Sequence, residues 1–104
     1  MKSENKSSTV WVVNAPRQDH RDFAAAAAFG TIEVVLYRPS GDLDQDVAYV
    51  AERLPLVWKK GDYLNLVGHP LFVAAAFSSI KEFFGKVPVL VWDKRFQAYT
   101  AHEV

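Results

Sequence analysis

Apolar and polar positions along this chain follow two different periods, and the switches between them mark out its elements. After a polar lead, "TVWVVNAP" is a β-branched and aromatic run closed by Asn14-Ala15-Pro16, which predicts a buried strand. Asp19 can cap a helix over residues 20–29, with Asp22 in its first turn, five alanines at its centre and Gly30 as its stop. "TIEVVLY" predicts a second strand, broken by Arg38-Pro39-Ser40-Gly41-Asp42, where turn formers and a cap residue stand together. From Leu43, apolar residues recur at Val47, Val50, Ala51 and Leu54, the face of an amphipathic helix limited by Pro55. Trp58 then plugs one end of the core, and Lys59-Lys60-Gly61-Asp62 makes a turn.

"YLNLVG" predicts the third strand. Pro70 occupies a first helical position, and the helix runs to Phe84, where Gly85 stops it. Phe72, Val73, Ala76, Phe77, Ile80, Phe83 and Phe84 form its core-facing arc. The opposite side carries Ser79, Lys81 and Glu82, but also Leu71, Ala74, Ala75 and Ser78, which offer a face for a homodimer. "VPVLVWD" is apolar on both faces, as a central parallel strand is, and "FQAYTAHEV" returns after Asp93-Lys94-Arg95 as an antiparallel edge. The order β-α-β-α-β-α-β-β predicts an α/β fold: a small Rossmann-like or flavodoxin-like sandwich. Its sheet has four mostly parallel strands plus a C-terminal antiparallel hairpin strand. Residues 1–8 are expected to be a disordered lead, and residues 9–104 a single domain.

Charge and composition narrow the function classes. Twelve Lys and Arg balance twelve Asp and Glu, which argues against non-specific nucleic-acid binding and against electrostatic membrane anchoring. There is no cysteine, so thiolate metal sites, thiol nucleophiles and disulfides are excluded. No apolar run approaches the roughly 20 residues of a membrane span, and the polar lead is no signal peptide; the expected location is the cytoplasm. The dinucleotide, P-loop and hydrolase glycine signatures are absent, no pair of histidines has metal-ligand spacing, and no cofactor is expected.

In an open parallel sheet, ligands bind beyond the carboxyl ends of the strands, where strand order reverses. Candidate ligand-binding residues on that rim are Asn14 and Arg17 after the first strand, Arg38 and Ser40 after the second, Gly68 after the third and Trp92 after the fourth. His69 is the candidate catalytic residue. It occupies a helix N-cap where Ser, Thr, Asp or Asn would serve the free amides better, at a helix end that attracts anions. Gly68 and Pro70 have structural reasons of their own, as a strand exit and a preset first turn.

"WVVNA" and the strand–"VGH"–apolar helix–"FG" pattern resemble the small viral ring nucleases that bind and cleave cyclic oligoadenylate. That resemblance implies a homodimer around its ligand, with His69 as the catalytic histidine. The layout also resembles small α/β proteins of phages and mobile elements. Three functions follow. The first is a binding or interaction module for a protein partner or a small anionic ligand, which suits the poor catalytic inventory. The second is a nucleotide-binding or phosphodiester-cleaving enzyme using His69, and the third a homo-oligomeric structural protein.

Overall fold

The structure, a computed structural model, describes residues 8–14 and 25–104. Its strands are β1 (Thr9–Asn14), β2 (Thr31–Leu36), β3 (Tyr63–Asn65), β4 (Pro88–Asp93) and β5 (Ala98–Glu103). Its long helices are α1 (Leu43–Val57) and α2 (Pro70–Phe84). The five strands form one sheet in the order β2-β1-β3-β4-β5, parallel except for the final β4–β5 hairpin. This is the α/β architecture that the alternating pattern predicts. The chain steps outward from β1 to β2, then crosses back to place β3 on the other side of β1, so strand order reverses between β1 and β3.

Each sheet face has its own core. On one, Val13, Val35, Leu64 and Val89 meet Val50 and Leu54 of α1 and Phe72, Ala76 and Ile80 of α2. On the other, Val10, Leu90 and Tyr99 pack with Ala25, Ala26 and Phe29. Ala25 and Ala26 are helical, whereas the rest of the expected alanine helix, with Asp19 and Asp22, lies outside the described residues.

Several elements differ from the sequence expectation. The third strand is three residues long; the Leu66 amide still bonds the Leu90 carbonyl of β4 at 3.1 Å, and the chain then passes through Val67 and Gly68 into α2. Pro55 stands inside α1 rather than ending it; the helix runs on to Val57, and the Trp58 amide still bonds the Leu54 carbonyl at 3.0 Å. Ser79 is buried, its hydroxyl donating to the Ala76 carbonyl at 3.0 Å, which is how a polar residue enters that core face. Phe83 and Phe84 are exposed instead, since the packed arc of α2 ends at Ile80.

The turn before β3 contains a group that the sequence reading passed over. Asp62 is fully buried. Its carboxylate accepts from the Thr9 amide at 3.0 Å, the Trp11 indole Nε1 at 2.9 Å and the Lys59 amide at 2.8 Å. The Lys59 ammonium stands 3.6 Å from the same carboxylate and is itself half in solvent. A buried carboxylate is tolerable only when its lone pairs are occupied in this way. Asp62→Ala strands three donors inside the protein, so urea unfolding should show a loss of about 3–5 kcal/mol, with a smaller loss for Asp62→Asn.

Candidate functional site

The reversal between β1 and β3 brings together two segments far apart in sequence. Asn14, the last residue of β1, accepts the His69 amide on Oδ1 at 3.0 Å. Gly68 makes this contact possible. It has φ +124°, and a Cβ there would run into Asn14 Oδ1 and lie 2.8 Å from Val13 Cγ2. The strand exit therefore needs glycine both for its dihedral angle and for its closeness to β1.

His69 has a structural task at this junction. Its Nδ1 accepts the Leu71 amide at 3.1 Å, so the imidazole is the N-cap of α2. The ring also lies against Phe72, with centroids 5.0 Å apart. Because Nδ1 accepts, the neutral ring carries its proton on Nε2 and presents a donor outward. Pro70 has no amide hydrogen, and the Val73 amide is spent on the His69 carbonyl at 3.0 Å. The Phe72 amide and the His69 Nε2–H are thus the donors left at this helix end.

The two helix N-termini on this rim are electrostatically unlike. At α1, Asp42 caps the helix by accepting from the Gln45 amide at 3.2 Å, and Asp44 and Asp46 follow in the first turn. Asp46 is buried and takes the Ser40 amide on both oxygens at 3.1 Å. Three carboxylates therefore already answer the dipole of α1. The first turn of α2 contains no acidic residue, so no carboxylate of its own first turn answers its dipole.

Among the described residues, the others singled out from sequence make no hydrogen bond to this junction. Ser40 is tied into the turn before α1, its hydroxyl accepting from the Asp42 amide at 3.1 Å. Arg38 is exposed, has no partner among the described residues, and lines a hollow of about 570 Å³ with Ser40, Gln45, Asp46 and Tyr49. Trp92 is half-buried and packs edge-on against Tyr99 at 5.2 Å. Arg17 lies outside the described residues. No group of His, Asp and Glu suited to a metal ion occurs among the described residues.

Two further polar features stand out: Asn65, which the sequence reading passes over, and Asp93, which it takes only as part of a turn at the end of the fourth strand. Asn65, the last residue of β3, is fully buried; its Nδ2 donates to the Tyr99 hydroxyl at 3.1 Å, and its Oδ1 has no partner among the described residues. An asparagine between two leucines in a strand was the available signal. Asp93, at the carboxyl end of β4, is held by Arg95 through Nε at 3.2 Å and Nη2 at 3.0 Å. The Arg95 side chain, helped by the Arg95 and Phe96 amides, keeps the Asp93 carboxyl below its ordinary value of 3.8 despite an opposing cost of burial.

Gly68→Ala should destabilise the protein by about 2–4 kcal/mol in urea unfolding, since it combines a disfavoured dihedral with a steric clash. The Asp93–Arg95 clasp has a pH signature. A carboxyl whose folded pKa is depressed contributes stability above its unfolded value and loses it as pH falls through the folded one. The Tm gap between the parent protein and Asp93→Asn should therefore be open at neutral pH and close below 3.8.

Among the described residues, no helix is long and apolar enough to cross a membrane. No curated protein and no solved structure matches the chain. A family model does, over residues 8–104, which takes in every described element from β1 to β5. On that match the chain belongs to the family of phage Pam3 gp32-like proteins.

Proposed function

We propose that this phage-family protein is a non-enzymatic binding module that holds a small anionic ligand at the Asn14–Gly68–His69 junction. The observation that carries this reading is the acid-free N-terminus of α2, placed where strand order reverses. Asn14 fixes the loop from behind, and the His69 Nε2–H and the Phe72 amide supply the donors. Phosphate or carboxylate oxygens match that donor set. Arg17 is the further cation that the sequence assigns to the same rim.

Phosphodiester cleavage, which the ring-nuclease resemblance implies, draws less support. A general base needs a free lone pair facing the substrate, and the His69 lone pair on Nδ1 is engaged by its own helix. The ring can donate to a bound anion without taking a proton from it. Leu71, Ala74, Ala75 and Ser78 remain a face of small side chains with one exposed leucine, which is little apolar area for a stable homodimer.

A thermal-shift series with inorganic phosphate, mononucleotides and cyclic oligoadenylates tests the reading. A ligand at ten times its Kd stabilises by about 1.4 kcal/mol, a shift of roughly 6–11 °C for a domain of this size. His69→Ser keeps a capping acceptor while deleting the Nε2–H, so it should unfold near the parent temperature yet lose most of that shift. Chromatography of the bound ligand should recover it intact. No shift with any anion would point to a protein partner, and consumption of a cyclic oligoadenylate would make the protein an enzyme.

A further inference from the structure

The carboxyl-terminal ends of α1 and α2 lie side by side, at the opposite end of the sheet from the junction described above. Leu56 is 79% exposed there, Phe83 66% and Phe84 48%. With Ala51 and Pro55 they line an apolar groove of about 540 Å³. A buried aromatic side chain withdraws roughly 150–250 Å² from water, so these three residues leave an apolar patch on the order of 400 Å². That is the scale of the largest apolar patch on a typical monomer, which is often functional.

The charges around the patch identify its occupant. Phe84 forms a wall between two hollows. The apolar groove on one side carries a single charged residue, Glu52. The hollow on the other side carries Lys60, Lys86 and Glu103, two ammonium groups against one carboxylate. Lys86 and Glu103 approach one another only to 3.9 Å, and both are largely in water. One side is thus net negative, the other net positive, with the aromatic residues between them. A surface of that kind is complementary to itself under a two-fold rotation. The chain as a whole has no net charge to oppose association.

We infer that Leu56, Phe83 and Phe84 form the apolar centre of a homodimer interface. A two-fold axis beside Phe84 brings Glu52 of one copy to Lys60 and Lys86 of the other. Such an interface needs about 800 Å² from each partner. The patch supplies its dry core, and the charged hollows supply its polar rim. This places self-association away from the Leu71/Ala74 side of α2, and it leaves the anion-binding end of the sheet open in both copies.

Sedimentation equilibrium over a concentration series tests the inference. The parent should pass from one chain mass to two. Phe83→Asp, at an exposed position, should leave the unfolding temperature near the parent value while weakening the dimer roughly 30-fold or more. Leu71→Asp should dimerise as the parent does. Glu52→Lys should weaken association, and Glu52→Lys combined with Lys60→Glu should restore it. A parent that stays monomeric up to its solubility limit overturns the interface. So does a dimer that survives Phe83→Asp but is lost in Leu71→Asp, and failure of the paired charge reversal to recover association overturns the two-fold pairing.

Discussion

The buried carboxylate of Asp62 fixes the seam on which the rest of the sheet depends. The β1–β3 ladder holds three registered pairs, fewer than the β1–β2 or β4–β5 ladders. Asp62 reinforces its amino end by binding the first amide of β1, the Trp11 indole and its own turn. Asn14 reinforces its carboxyl end through the His69 amide. A slip of one residue would turn Val10 and Val13 to the wrong faces and break both side-chain clamps together. Register along a very short strand is thus set by two polar side chains outside its main-chain ladder.

That arrangement accounts for what the sequence made legible and what it hid. The elements with strong local signals were readable. Pro70 and Gly85 bracket α2 as expected, and the doubly apolar run of β4 lies inside the sheet as an inner strand should. Quantities set by distant partners were not readable. Asp62 follows two lysines and a glycine, the local pattern of a solvated turn, and only its bonds to residues about fifty positions earlier reveal it as buried. The helical period places Phe72, Ala76 and Ile80 on the buried side of α2 but puts the buried Ser79 opposite, and a period has no length, so it cannot show that packing stops at Ile80 and leaves Phe83 and Phe84 largely exposed. Pro55 stands within the last turn of α1, where it deprives only the Ala51 carbonyl of its amide, and the Trp58–Leu54 bond one turn on closes the helix beyond it.

His69 illustrates a different limit. Its side chain looked unexplained because histidine is a poor member of the usual capping set. The structure gives it that duty nonetheless, using the one ring nitrogen suited to accept. The proposed binding role would use the opposite side of the ring, and the cap fixes what that role can be. With Nδ1 turned back to Leu71, the imidazole offers the rim a proton that it holds rather than a lone pair that would take one. The same economy extends to Gly68 and Asn14, which join the sheet and shape the loop at once.

The side-chain bonds that bolt β1 to its inner neighbour span 51 to 55 residues of chain. During synthesis, β1 leaves the ribosome first and can pair with β2 soon afterwards. Its other long side, lined by main-chain groups between buried valines, stays an open edge until β3 has been made. Unpaired apolar edges in unfinished chains are where strands join the wrong partner. The interval of greatest risk for this protein therefore falls on the ribosome, before the fold is closed.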